Sequence, residues 1–186
     1  QRGHTRVVPE NWKDHHLYWM RNIQDGFVIR QLWWGQQIPA WYAASGLKLS
    51  NGELDFGGGE PVVARINPGK TAENPSGEWV QDPDVLDTWF SSAIWPQATL
   101  GWPHRTPDLE RFYPTSLMVT SSQIIYLWVA RMVMTGLKFM DEIPFPTVYI
   151  NGTVQTKDGK RMSKSLGTGI DPLLMSQKYG TDAFRL

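Results

Sequence analysis

The 186-residue chain contains no cysteine, so neither a disulfide nor a thiolate metal site can form, and a reducing compartment suits it. It carries no net charge. Its 18 Lys and Arg balance 18 Asp and Glu, which argues against a surface that grips nucleic acid by charge alone. It also lacks a run that could span a membrane. The longest apolar stretch, Ile124 to Ala130, stops at Arg131, far short of the roughly 20 residues a span needs. The first residues, Gln1-Arg2-Gly3-His4, have no starting Met and no apolar signal-peptide core. The last, Asp182 to Leu186, read as a helix cut in its second turn. Both ends are expected to lie within a larger protein. Tryptophan is the opposite case: ten residues, far above ordinary usage, in a chain long enough for one substantial core.

Residues 1–48 are Trp-rich and show no linker, and Pro39 breaks any helix through Gln31 to Ile38. Residues 49–78 differ. Asn51-Gly52, Gly57-Gly58-Gly59, Asn67-Pro68-Gly69 and Pro75-Ser76-Gly77 punctuate short apolar pieces such as Val62-Val63-Ala64, which predicts a small strand-and-turn insertion. Beyond it, Asp87 is placed to cap a helix from Thr88 to Trp95 that Pro96 ends. Leu117 to Val119 and Thr147 to Ile150 read as buried strands. Between them, Gln123 to Phe139 is apolar nearly all round and reads as a buried helix. Asp171-Pro172 opens another helix, which Gly180 closes. Strand, helix, strand, loop, helix in this order predicts an α/β fold: a partial doubly wound, Rossmann-like parallel sheet carrying the small insertion. Ligands bind at the carboxyl ends of strands in such sheets.

Residues 156–168 concentrate chemistry. Lys157, Lys160, Arg161 and Lys164 place four cations within eight residues, Asp158-Gly159 supplies a turn, and Ser163 and Ser165 supply hydroxyls. Such a loop suits a polyphosphate, because it can neutralise charge that develops on a phosphate leaving group. A merely solvated basic loop has the same composition.

The order of the residues goes further. Arg161-Met162-Ser163-Lys164-Ser165 resembles the K-M-S-K-S signature of class I aminoacyl-tRNA synthetases, with Arg for the first Lys. Gln31-Leu32-Trp33-Trp34-Gly35, followed by Ile38 to Tyr42, resembles the tract that precedes the family's insertion. Asp84 to Ala93, Thr99 to Pro103, Phe112 to Ser116, Trp128 to Met132 and Ile170-Asp171-Pro172 are similar to the valyl-tRNA synthetase branch in particular. The resemblance covers nearly the whole chain in the family's order.

That resemblance implies activation of valine with ATP and Mg²⁺ to valyl adenylate and pyrophosphate, followed by transfer to tRNA(Val) in the cytoplasm. It assigns Lys164 and Arg161 as catalytic. Arg161, Met162, Ser163, Lys164, Ser165, Ser121, Gln123, Asn151 and Gly152 match ATP-binding positions. Trp34, Asp84, Val85 and Trp89 match the amino-acid pocket, with Asp84 on the α-ammonium. A rigid apolar wall suits a small branched side chain. An ammonium entering a partly dry pocket needs a carboxylate.

The family usually has Gly and Asp where Ser121 and Gln123 stand, His at Asn151 and at Gln36, and Asn-Val at Thr168-Gly169. By the same resemblance, residues 1–48 lead out of an editing insertion into the second catalytic half. Residues 49–78 are the small insertion, here without zinc ligands, and 79–186 the nucleotide-binding half. The first half, with its H-I-G-H signature, is a missing partner, and alone this stretch is expected to be inactive. His15-His16 reads as a polar surface pair. Two other readings stay open: a catalytically silent synthetase-like module that binds a nucleotide, RNA or a protein partner, and a plain α/β fold without a site.

Overall fold

A computed structural model describes residues 5–50, 53–55, 59–163 and 167–185. In chain order the elements begin with β1 (Arg6–Val8), α1 (Asn11–Arg21), β2 (Ile29–Arg30), β3 (Ala40–Ala43), β4 (Lys48–Ser50) and β5 (Glu53–Asp55). There follow β6 (Val62–Val63), β7 (Trp79–Gln81), β8 (Val85–Leu86), α2 (Thr88–Ala98), α3 (Pro107–Phe112) and β9 (Met118–Ser121). A 3-10 turn (Ser122–Ile124) and a π-helical stretch (Ile125–Val129) then run into α4 (Ala130–Phe139). The last elements are β10 (Thr147–Asn151), α5 (Pro172–Tyr179) and α6 (Thr181–Arg185).

The centre is a parallel sheet in the order β1-β10-β9. Alternation along β10 turns Val148 and Ile150 inward and leaves Tyr149 and Asn151 exposed, as the two-residue strand period requires. Val148 and Ile150 meet Val7, Met118, Phe145, Ile125, Val129 and Met132 in one core, and Trp12 of α1 packs against its margin. Side chains as deeply buried as Phe145 and Ile125 contribute about 1.5–3 kcal/mol each by leaving water. A parallel pair cannot be closed by a tight turn, and the helical segment 122–139 is the crossover that joins β9 to β10.

The turn-rich region contributes strands to two antiparallel sheets, and the larger one is completed by strands on either side of it, β3 before and β7 after. β3 pairs with β6 on one side and β7 on the other, and β4 pairs with β5. Asn74, buried, closes its long turn: Thr71 N donates to Asn74 O at 3.1 Å, and Asn74 Nδ2 to Glu78 O at 2.8 Å.

Four local expectations need correction. The helix at Thr88 does not stop before Pro96 but continues to Ala98. Proline removes the amide that would bond Ser92 O, and the Trp128 indole donates to that carbonyl instead, at 3.3 Å. The Thr135 hydroxyl likewise donates to Ala93 O at 2.7 Å. Secondly, the Asp87 carboxylate makes no capping bond; it faces two guanidinium groups. Thirdly, the buried helix expected from Gln123 is regular only from Ala130. Lastly, His16 is half-buried rather than a surface residue, and desolvation lowers its pKa from the ordinary value. Its neighbour His15 is exposed and accepts the Trp19 indole N–H at 3.2 Å.

Candidate active site

The register of the parallel sheet assembles one end of the site. Asn151 stands directly beside Ser121, because β10 and β9 pair from Val148↔Met118 to Asn151↔Ser121. Both residues therefore sit at the carboxyl ends of adjacent parallel strands, where α/β sheets take ligands. The Ser121 hydroxyl accepts the Gln123 amide at 3.3 Å, which caps the 3-10 turn, while Gln123 itself is exposed. Asn151 is also exposed, and its Nδ2 donates to Gly152 O at 2.8 Å. A side chain at Gly152 would meet no atom within 4 Å, so open space lies over this strand end.

The cationic loop follows β10 directly. It folds back on itself: Thr156 N donates to Lys160 O at 2.8 Å, Lys160 N donates to the Thr156 hydroxyl at 3.2 Å, and Gln155 bridges Arg161. Gly159, at φ 73°, occupies the left-handed position of the turn. Lys157, Lys160 and Arg161 are exposed, and among the described residues no carboxylate pairs with them. Met162 and Ser163 are half-buried, and Ser163 N donates to the Thr168 hydroxyl at 2.9 Å. Lys164 and Ser165 lie outside the described residues. Beyond the loop, Asp171 accepts Leu173 N at 2.8 Å and caps α5, and Gly180 ends that helix at φ 88°.

A second cluster joins two tracts about fifty residues apart. β2 pairs antiparallel with β8, Gln37 bridges Val85, and Ile38 N donates to Asp84 O at 3.0 Å. Val85 is buried, 6% exposed, and lies so close under Gly35 that a Cβ there would stand 2.9 Å from its side chain. The Asp84 carboxylate is half-buried and accepts Gln31 Nε2 at 2.8 Å. Its backbone N–H donates to Asp82 Oδ1 at 2.9 Å. Burial, and then the Asp82 charge, raises the pKa of Tyr42, whose hydroxyl lies 3.4 Å from Asp82 Oδ2. Trp89 is half-buried, whereas Trp34 is 91% exposed. Asp84, Val85 and Trp89 thus share one turn-and-helix start, and Trp34 stands in the facing turn with its ring in solvent.

Sequence reasoning missed the groups that tie this cluster together. Arg30 Nε lies 3.4 Å from Asp87 Oδ1, and Arg131 Nη1 lies 3.8 Å from Asp87 Oδ2. The Arg131 guanidinium also lies 5.9 Å from the centre of the Trp89 ring. A charge-balanced Arg or Asp inside a motif carries no mark of its partner, so no local signal pointed to them. Nearby, a cavity of about 340 Å³ is lined by Gln36, Leu86, Phe90, Ser91, Ile94 and Trp95. Gln36 Oε1 accepts the Ser91 hydroxyl there at 3.0 Å. None of Trp34, Asp84, Val85 and Trp89 lines this cavity. No group of three His, Asp or Glu side chains stands close enough to hold a metal ion among the described residues. No helix among them is long and apolar enough to cross a membrane.

A Rossmann-like parallel core with strand ends opening onto a cationic loop defines an α/β class, and solved structures share it. Agrobacterium radiobacter K84 LeuRS, determined with tRNA and LeuAMS, matches with a TM-score of 0.57 at 18% identity, over 93% of this chain and 26% of that one. Mycobacterium tuberculosis methionyl-tRNA synthetase bound by methionyl-adenylate matches with a TM-score of 0.57 at 18% identity, over 96% and 27%. The chain belongs to the tRNA synthetases of class I (I, L, M and V), whose family model matches residues 1–186. It is 51% identical to the valine--tRNA ligase of Geobacter sulfurreducens over 98% of this chain and 19% of that protein. Its identity to the valine--tRNA ligase of Pseudothermotoga lettingae is also 51%, over 97% and 20%. The chain therefore spans about a fifth of the length of the curated relatives it matches.

Proposed function

We propose that this chain is the part of a valine--tRNA ligase that forms the second half of the catalytic domain, acting with ATP, valine and tRNA(Val) in the cytoplasm. The carrying observation is the pairing of Asn151 with Ser121 at the sheet's carboxyl end, with Lys157, Lys160 and Arg161, which meet no carboxylate among the described residues, immediately beyond. In this reading residues 1–48 lead out of an editing insertion, 49–78 are a turn-rich insertion, and 79–186 are the nucleotide-binding half.

The chemistry is adenylation. The valine carboxylate attacks the α-phosphorus, a new oxygen–phosphorus bond forms, and the bond to the bridging oxygen of pyrophosphate breaks. Negative charge grows on the leaving group. Lys164 contacts the phosphates in the transition state and neutralises that charge together with Arg161, three residues earlier, and Lys157 and Lys160 add to the local field. Charge stabilisation that appears mainly in the transition state raises the rate more than the affinity. Arg161 offers a planar fork where an ammonium would be a point charge, so phosphate contacts there are directional. Met162, Ser163, Ser165 and Gly152 complete the nucleotide's surroundings. Mg²⁺ would accompany the ATP phosphates and would offset part of their negative charge. Ser121, Gln123 and Asn151 face the ribose as neutral hydrogen-bonding groups. Asp84 holds the α-ammonium, with Gln31 fixing one of its oxygens. Val85, Trp89 and Trp34 form the apolar wall.

Valine-dependent exchange of labelled pyrophosphate into ATP, measured on the native-length protein that contains this chain, tests the reading. Exchange with valine is expected, with little or none from these 186 residues alone. Exchange with isoleucine but not valine would overturn the specificity. A protein that binds ATP without any exchange would instead be the silent synthetase-like module that neutral Gln123 and Asn151 suit.

A further inference from the structure

We infer that Arg131 is a positioning residue for the amino-acid pocket, locking Trp89 in place through Asp87; this rests on the proposed function. Asp87 is 5% exposed, an unusual location for a carboxylate, and it sits between β8 and α2, two residues before Trp89. Its two oxygens face different cations on different elements: Arg30 on β2 at 3.4 Å and Arg131 on α4 at 3.8 Å. The backbone holds the same point, since Asp87 N donates to Val28 O at 2.8 Å and Phe90 N donates to Asp87 O at 2.9 Å.

Two groups face the Arg131 guanidinium. One side of it meets the buried carboxylate, and the group also lies 5.9 Å from the Trp89 ring centre, within cation–π range. The following turn of α2 is held as well, because Trp128 of the π-helical stretch donates to Ser92 O and Thr135 of α4 donates to Ala93 O. α2 is thus tied down on both sides of Trp89, and the Arg131 guanidinium lies over the ring.

A rigid wall matters for this substrate class. One methylene in an apolar pocket separates competing amino acids by only about 10–200-fold, and a ring that swings away forfeits part of that factor. Arg131 would not touch the substrate; it would act by keeping the Trp89 face where a small branched side chain meets it.

The test is steady-state pyrophosphate exchange by native-length protein carrying Arg131→Met, which keeps side-chain length and removes the cation, and Arg131→Lys, which restores the charge. For Arg131→Met the valine KM should rise about tenfold and the valine-over-isoleucine preference should fall, while the ATP KM stays within about twofold. Arg131→Lys should recover part of the loss. An unchanged valine KM, or an ATP KM that rises in step, would overturn the inference. A purely structural role would lower the titrated fraction of active sites and leave both KM values alone, which also overturns it.

A second readout does not need activity. In protein labelled with 5-fluorotryptophan, the Trp89 resonance, assigned with Trp89→Phe, should shift and broaden in Arg131→Met. Lack of exchange in the unsubstituted protein would overturn the proposed function instead, and the fluorine signal would still report whether Arg131 holds Trp89.

Discussion

Replacing Gly136 by alanine sets two physical effects against each other. Gly136 lies inside α4, where alanine is favoured over glycine by about 1 kcal/mol on helix propensity alone. An added Cβ would stand 2.8 Å from Tyr113 Oη, 3.0 Å from Pro144 Cδ and 3.1 Å from Glu142 O, all inside ordinary contact distance. These neighbours have little room to yield. Tyr113 Oη donates to Glu142 O at 3.0 Å, and both Thr115 N and its hydroxyl donate to Pro144 O, at 2.9 and 3.1 Å. Overpacking costs about 1–3 kcal/mol, and a displaced Tyr113 hydrogen bond about 0.5–1.5 kcal/mol. The net expectation is a loss of about 0.5–3.5 kcal/mol after the propensity gain. Urea unfolding measures it. The same substitution in a Tyr113→Phe background, without the nearest oxygen, should cost at least about 1 kcal/mol less. A stabilising Gly136→Ala, or an equal cost in both backgrounds, would refute the steric reasoning. The result bears on function because segment 142–146 leads straight into β10, which carries Asn151 and Gly152 to the strand end.

Two further outcomes follow from buried polar groups. Burial, and then the Glu142 charge, pushes the Tyr113 phenol up from 10.0 to about 12, so the folded state holds this proton more tightly than the unfolded chain. Its contribution to stability is fully present below pH 10 and is lost as pH rises towards 12. Tyr113→Phe should therefore flatten the fall of the urea midpoint between pH 10 and 12, and an unchanged slope would refute the assignment. Gln97 is 0% exposed, and neither polar atom of its side chain has a protein partner among the described residues. Gln97→Met keeps the volume and removes the amide, and should raise stability by about 1–3 kcal/mol, seen as a higher Tm. A lower Tm would mean that the amide is well bonded in solution.

The local punctuation of the fold was legible in the residues. Asp171-Pro172 and Gly180 bound α5, Thr147 to Ile150 lie in a strand as expected, and turn residues mark the region between β4 and β7. These features depend on backbone preferences of one or a few residues. The order of motifs was also enough to indicate the family, because each motif is a contiguous string.

Other features depend on neighbours distant in the chain. Pro96 is a helix terminator by its own chemistry, yet α2 passes through it because Trp128, far away in sequence, supplies the missing donor. Asp87 has the form of a helix cap, but two guanidinium groups from β2 and α4 offer a buried carboxylate more than one amide can. Composition placed His15 and His16 together on the surface, whereas the fold half-buries His16 and leaves His15 exposed.

The candidate site divides along the same line. Sequence by itself singled out the side chains to which the proposed chemistry is assigned: the cations of 157–161, the hydroxyl and amide groups of Ser121 and Asn151, and the carboxylate of Asp84. Only tertiary structure decided that Ser121 and Asn151 stand side by side, that Val85 lies beneath Gly35, and that Arg131 covers Trp89. The physical reason is the range of the forces. Caps and turns are set within a few bonds, while register, burial and charge pairing are settled when separate segments compete for the same space.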